Sequence, residues 1–166
     1  MTEVTVRVLD ENDWQDYRRL RLASLESDPE AFVSTHADEK EYDEELWRAR
    51  MNRSRRLVAS RDGEDVGVAS VGQARDEDGV QEGVAELFGM WVRPELRGSG
   101  IAWQLVTAAA DQARRDGHRQ LRLWVSTDNG RAVGFYSSYG FRPADDRRPM
   151  KTDASVDEIA MTLPLA

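Results

Sequence analysis

The segment RGSGIAWQLVTAAADQARRDG, residues 97–117, sets two glycines one residue apart directly before a helical pattern. The preceding run LFGMWV is typical of a strand, which ends before Pro94 because proline cannot donate to a sheet ladder. After the glycines, apolar residues recur on one helix face: Ile101, Leu105, Ala109 and Ala113. A strand, a glycine turn and a helix in this order predict a strand–helix–strand unit and a mixed α/β fold.

The glycine turn is also suited to an anion. A helix N-terminus presents unpaired backbone N–H groups and a partial positive charge, and glycine lets the backbone approach a ligand closely. The turn therefore predicts a diphosphate site at Arg97, Gly98, Ser99, Gly100, Ile101 and Ala102. It lacks the Gly-Lys-Ser/Thr of a Walker loop, and Trp103 stands where the dinucleotide fingerprint needs a third glycine. A plain tight turn between strand and helix is the alternative.

Patterns on either side of this unit predict the other elements. Further helices are expected from Asp10 to about Ser27, from Thr35 to about Asn52, and over 129–139. Strands are expected at 4–8, 56–60, 66–74, 84–92, 121–125, 141–147 and 156–163. Because no repeat, low-complexity tract or linker interrupts this series, a single domain over 1–166 is expected.

Composition narrows the function classes. The chain has no cysteine, and its two histidines, His36 and His118, are far apart, so neither a cysteine nucleophile nor a metal site is expected. The net charge of −8 disfavours nucleic acid and anionic membrane as partners. It is compatible with a cationic substrate, and ordinary solubility is the alternative explanation. No apolar run approaches the roughly 18 residues of a membrane helix, and the first residues lack a signal-peptide pattern, so a cytoplasmic protein is expected.

A second motif follows the predicted strand LRLWV. Five residues have the spacing Asn-x-x-Ala-x-x-x-Tyr-x-x-x-Gly-Phe: Asn129, Ala132, Tyr136, Gly140 and Phe141. With the glycine turn before it, this motif makes the chain resemble the GNAT superfamily of acyl-CoA-dependent N-acetyltransferases. The resemblance covers essentially the whole chain, including the segment DPEAF at 28–32.

The resemblance implies a fold and a cosubstrate. The fold is an α/β domain with a mixed, mostly antiparallel central sheet of about seven strands, splayed between strands four and five and flanked by about four helices. The cosubstrate is acetyl-CoA, with its diphosphate on the backbone amides of the glycine turn. Its pantetheine arm would pair with the backbone of the fourth strand at Met90, Trp91 and Val92.

The second motif implies further cofactor contacts. Asn129 would contact acetyl-CoA through its side-chain amide, and it is equally suited to capping a helix. Ala132 and Phe135 would lie near the pantetheine and the thiol, with core packing as the alternative for both.

Three catalytic tasks follow from amine attack on a thioester. Backbone N–H groups around Met90 to Val92 are implied as donors to the oxyanion. Tyr136 matches the family's acid, which protonates the leaving thiolate, although a tyrosine on the core face of a short helix gives the same pattern. Glu86 is a candidate base for the attacking amine, or else a strand-end glutamate that reaches solvent. His36 is the other candidate base, or a solvated loop histidine.

The acceptor is expected to be a primary amine of a small metabolite, an antibiotic, or a peptide or protein. Phe32, Trp47 and Trp124 are candidates for lining its pocket or for packing in the core. Many members of the family form dimers through their C-terminal strands, which makes a homodimer one candidate assembly and leaves the oligomeric state open. The rival function is a non-catalytic acyl-CoA-binding sensor or interaction module, which would keep the diphosphate site and need neither Glu86 nor Tyr136.

Overall fold

The computed structural model describes residues 3–165, which form seven strands and five α-helices. The strands are β1 (Val4–Val8), β2 (Arg55–Arg61), β3 (Glu64–Asp76), β4 (Gly79–Val92), β5 (Gln120–Ser126), β6 (Arg142–Pro149) and β7 (Asp157–Pro164). The helices are α1 (Trp14–Ser27), α2 (His36–Glu39), α3 (Glu44–Arg53), α4 (Ile101–Arg115) and α5 (Gly130–Tyr139). Within the described part of the chain, no helix has both the length and the apolarity to cross a membrane.

The strands form one sheet in the order β1-β2-β3-β4-β5-β7-β6. Every neighbouring pair is antiparallel except β4 and β5, which run parallel and therefore need the crossover helix α4. These two strands meet at only three residue pairs, from Val84–Gln120 to Glu86–Arg122. Beyond Glu86, β4 stays paired with β3 and β5 stays paired with β7, so the seam between them opens. The predicted splayed and mostly antiparallel sheet is confirmed.

Helix α4 covers one face of the sheet because its apolar stripe is unbroken. Six of its residues are buried: Ile101, Leu105, Val106, Ala109, Ala110 and Ala113. They pack with sheet residues such as Ala85, Leu87 and Leu121. Burying a large apolar side chain contributes about 1.5–3 kcal/mol, so this stripe fixes α4, and with it the glycine turn, against the sheet.

Helices α1 and α3 cover the opposite face. Tyr17 and Leu20 of α1 and Trp47 of α3 pack against Val68 and Trp91 of the sheet. Trp47 is 0% exposed, which assigns this aromatic to the core and removes it from the candidates for the acceptor pocket.

The single helix expected from Thr35 to about Asn52 is wrong. Thr35 does cap a helix, because its hydroxyl accepts a hydrogen bond from the Asp38 backbone N–H, but that helix ends at Glu39. A new helix begins at Glu44, where the Asp43 carboxylate accepts from the Leu46 backbone N–H. A second capping residue inside one polar stretch therefore divides it in two, and five helices stand where about four were expected.

Candidate active site

A cavity of about 660 Å³ opens where β4 separates from β5, a volume typical of small-molecule sites. It brings together twelve of the predicted site residues: Met90, Trp91, Val92, Arg97, Gly98, Gly100, Ile101, Ala102, Asn129, Ala132, Phe135 and Tyr136. Both sequence motifs thus line one space, although about 30 residues separate them along the chain.

Two predicted residues, Ser99 and Glu86, are not among those that line the cavity. The Ser99 hydroxyl donates to the Leu96 carbonyl oxygen at 2.5 Å, so its side chain is used to shape the glycine turn. The position of Glu86 follows from strand alternation. Ala85 and Leu87 are buried with α4, so the intervening Glu86 faces the other side of the sheet.

The glycine turn has the geometry of an anion site. Gly98 and Gly100 have φ values of +85° and +90°, in the left-handed region that glycine adopts without strain. Gly100 is the N-cap of α4, and in the described chain no side chain caps this helix. The first backbone N–H groups of α4 therefore keep their hydrogen-bonding capacity for a ligand beside the cavity.

The Arg97 side chain is occupied by the protein. Its Nε donates to the Val92 carbonyl oxygen at 3.1 Å, and its Nη2 donates to Asp28 Oδ2 at 2.7 Å. The Trp91 indole N–H donates to the same Asp28 oxygen at 2.6 Å. Burial alone would raise the pKa of Asp28, but hydrogen bonds from Trp91 and Arg97, together with the Arg97 charge, lower it. The Arg97 side chain thus braces the turn and is not available to a ligand. A diphosphate at this turn would therefore contact backbone amides.

Asp28 is a cavity residue whose role the sequence reasoning missed. It opens the segment DPEAF, which only the family resemblance singles out, and it lies 69 residues before Arg97. No local spacing signals a contact over that distance.

Tyr136 lines the cavity from α5 with a half-buried side chain. Its ring packs against Phe135 and Phe141, with centroids 5.1 and 5.6 Å away. Burial raises the pKa of its phenol to about 12, so the group stays protonated at neutral pH. The protonated phenol belongs to a residue that lines the cavity, which makes it a candidate proton donor there.

Glu86 lies in the last residue pair before the seam opens, opposite Arg122. Its Oε1 accepts hydrogen bonds from Arg122 at 3.0 Å and from the Trp124 indole at 3.3 Å. Arg122 also binds Asp76, at 2.9 and 3.2 Å. The predicted carboxylate in an apolar strand is therefore paired, and its second oxygen has no partner in the described chain.

Of the remaining candidate residues, two line the cavity and two lie outside it. Asn129 caps α5, since its Oδ1 accepts from the Ala132 backbone N–H at 3.1 Å, and it also lines the cavity. Phe32 lines the cavity, whereas Trp124 packs beneath Arg148, with the guanidinium carbon 4.0 Å from its ring centroid. His36 lies outside the cavity lining, 3.7 Å from a Glu26 oxygen.

Residues 14–141 match the sequence profile of the Acetyltransferase (GNAT) family. An uncharacterized N-acetyltransferase of Archaeoglobus fulgidus is 28% identical over 137 residues, which cover 82% of this chain and 92% of that protein. Another, from Methanocaldococcus jannaschii, is 40% identical over 58 residues, or 35% of this chain. That match spans only 26% of the Methanocaldococcus protein.

Solved structures of acetyltransferases share the fold. A GNAT-family acetyltransferase of Streptococcus pneumoniae gives a TM-score of 0.76 at 22% identity, covering 99% of this chain and 100% of that one. An acetyltransferase of Salmonella typhimurium, solved with its cofactor acetyl-CoA, gives 0.71 at 22% identity and covers 98% and 94%. The profile match spans both sequence motifs and the open seam of the sheet. The chain therefore belongs to the GNAT family of acetyltransferases.

Proposed function

We propose that this protein transfers the acetyl group of acetyl-CoA to a primary amine carried by a small metabolite, an antibiotic, or a peptide or protein. One observation carries the proposal: the uncapped glycine turn and the half-buried, protonated Tyr136 line the same cavity at the open seam. A ligand that uses both groups at once must carry a diphosphate for the glycine turn and a thioester whose thiolate Tyr136 can protonate.

The residues present fit acetyl-CoA. The first amides of α4 would hold the diphosphate, and the unpaired edge of β4 at Met90 to Val92 would receive the pantetheine arm. The Salmonella typhimurium neighbour, which was solved with acetyl-CoA, supports the choice of donor. Asn129 would add a contact through the amide nitrogen that its capping role leaves unused.

When bound, acetyl-CoA supplies an activated acyl group as a thioester. Backbone N–H groups on the open edge of β4 would donate to the oxyanion that forms when the amine attacks. Tyr136 would then give its phenolic proton to the departing thiolate sulfur. Glu86 would accept the proton of the acceptor ammonium through water, using the carboxylate oxygen that no described residue occupies. No covalent intermediate with the protein is needed, and the sequence contains no cysteine to form one.

The test is thiol release from acetyl-CoA across a panel of amines: polyamines, aminoglycosides, amino acids, arylamines and short peptides. Because the chain has no cysteine, a thiol reagent detects only the CoA product. We expect amine-dependent release with at least one class, which would also name the acceptor. Tight binding of CoA without release for any class would instead favour a non-catalytic acyl-CoA-binding module.

A further inference from the structure

Trp103 is the exposed aromatic residue at the edge of the cavity. It is the third residue of α4, lies 44% exposed, and lines the cavity beside Gly100 and Ala102. None of the steps proposed above uses its side chain. Single exposed apolar residues are common on protein surfaces, but this indole also lines the cavity, where its exposed part is available to a ligand.

The indole is held in one orientation by two aromatic residues of α5. Its ring centroid lies 4.6 Å from that of Tyr139 and 6.2 Å from that of Phe135. Tyr139 is itself fixed, because its hydroxyl shares a hydrogen bond of 2.8 Å with Thr107 of α4. The part of the indole that is not packed therefore presents a fixed apolar surface at the cavity mouth.

The position of this surface relative to the glycine turn suggests its ligand. The amides proposed to hold a diphosphate belong to Gly98 through Ala102, directly before Trp103. Arg131, on the first turn of α5, lines the same cavity and adds a positive charge. A planar base attached to the diphosphate would reach the exposed face of Trp103, close to the positive charge of Arg131. Stacking on an aromatic side chain is a favourable contact for any base, because every base has a π-face.

We propose that Trp103 is the stacking platform for the adenine ring of the donor. Stacking on Trp103 would then add to the preference for CoA over pantetheine that the diphosphate site already gives. This inference rests on the proposed function, because it presumes that CoA occupies the cavity. It assigns a donor preference to a residue that the two sequence motifs leave unassigned.

Dissociation constants of CoA and of pantetheine test the inference with two variants. Trp103→Leu keeps an apolar side chain but has no ring, and Trp103→Phe keeps a smaller ring. We expect Trp103→Leu to weaken CoA binding roughly tenfold. Pantetheine binding should change less than twofold, and Trp103→Phe should lie between Trp103→Leu and the wild type. Thermal unfolding of both variants checks that they are folded.

Two outcomes would overturn the inference while acetyl transfer is intact. One is an unchanged CoA affinity in Trp103→Leu. The other is an equal loss for CoA and pantetheine, which would mean that Trp103 only supports the packing of α4 on α5. Quenching of tryptophan fluorescence by 3′,5′-ADP, present in the wild type and lost in Trp103→Phe, supports stacking without any turnover. Such quenching in a protein that transfers no acetyl group would overturn the proposed function alone.

Discussion

Tyr136 is the residue on which the proposed chemistry most depends. Replacing it with phenylalanine removes the hydroxyl and keeps the ring that packs on Phe135 and Phe141. We expect kcat to fall about a hundredfold, with the affinity for CoA unchanged. The matched control is Tyr139→Phe, one turn later, whose hydroxyl bonds Thr107. Equal activity in Tyr136→Phe and wild type would remove the acid assignment.

The same residue sets a pH dependence. Burial raises the phenol pKa to about 12, above the ordinary value of 10, so the proton donor is present throughout the range below pH 10. We therefore expect kcat to show no decline between pH 8 and pH 10 that can be assigned to this tyrosine. A decline centred near pH 9 that disappears in Tyr136→Phe would contradict this.

Glu86 can be tested by charge removal with little change of shape. Glu86→Gln keeps a carbonyl oxygen to accept from Arg122 and Trp124, and Asp76 still balances the Arg122 charge. If Glu86 is the base, kcat should fall at least tenfold at neutral pH with CoA affinity preserved. Glu82→Gln, an exposed position on the same strand, is the control. An unchanged kcat would leave deprotonation to water or to another group.

The sequence predicts which residues line the candidate site, but it does not predict which residues their side chains contact. The two motifs located eight of the twelve cavity residues, because each motif has a fixed spacing within its own element. The family resemblance implied the other four: Met90, Trp91, Val92 and Phe135. The pairs Arg97–Asp28 and Glu86–Arg122 join residues 69 and 36 positions apart, so their contacts depend on how the sheet closes. For the same reason, the sequence could not show that the Arg97 side chain is occupied by Asp28.

At the scale of elements, the start of α4 allows a matched test of the glycine turn. Gly100 and Gly117 flank the same helix with φ values of +90° and +89°, and a Cβ added at either would meet no atom within 4 Å. A glutamate at either position should cost roughly 1–2 kcal/mol in backbone strain. We expect Gly100→Glu to abolish CoA binding, since it sets a negative charge at the diphosphate site, and Gly117→Glu to bind normally. Intact binding by Gly100→Glu would refute the diphosphate site.

Helix α2 is tied to its neighbours by one buried carboxylate. Glu39 is 2% exposed and accepts hydrogen bonds from Arg21 of α1 and Arg50 of α3, at distances of 2.7 to 3.1 Å. Burial alone would raise its pKa, but the hydrogen bonds and charges of the two arginines outweigh this and lower it from 4.5 to about 2. The depressed pKa stabilises the fold above about pH 4.5, and this contribution is lost as the pH falls toward 2.

Glu39→Gln should therefore destabilise the protein at neutral pH by about 3 kcal/mol, because it leaves two arginines without their counter-charge. For a chain of this size the melting temperature should fall by about 10 °C, and the variant should lose less further stability on acidification than the wild type does. Glu41→Gln, an exposed neighbour, should melt like the wild type. Equal melting of Glu39→Gln and Glu41→Gln would show that the cluster contributes no net stability.

The division between α2 and α3 marks the limit of sequence reasoning about elements. Thr35 and Asp43 are both capping residue types, but only Thr35 begins a predicted helix, whereas both cap helices in the structure. The pattern of apolar residues in this stretch is too sparse to show a break. The separation is favoured by the fold, in which Glu39 must turn inward to reach Arg21 and Arg50. By contrast, α4 was located well because its apolar stripe has no polar interruption.

For the whole molecule, the open seam predicts that the cosubstrate stabilises the fold by joining the two parts of the sheet. At a concentration 100 times its Kd, CoA should add about 2.7 kcal/mol, which raises the melting temperature by about 5–10 °C. Amide hydrogen exchange should slow most over residues 88–92, where β4 has lost its β5 partner. Protection confined to distant strands would argue against binding at the seam.

The candidate homodimer stays a prediction, which sedimentation of the purified protein would test.

The seam also gives the chain a natural line of division. Strands β1 to β4 with α4 come from the first 115 residues, and β5 to β7 come from the rest. Within the sheet, only the three residue pairs between β4 and β5 join the two groups. A backbone cut in the exposed turn at Gly117 would leave each strand group with its own neighbours. Two fragments made in this way would associate through helix packing and a short ladder, and a ligand spanning both would tighten them. The architecture proposed to hold a thioester between two half-sheets would thus also serve as a ligand-dependent split reporter.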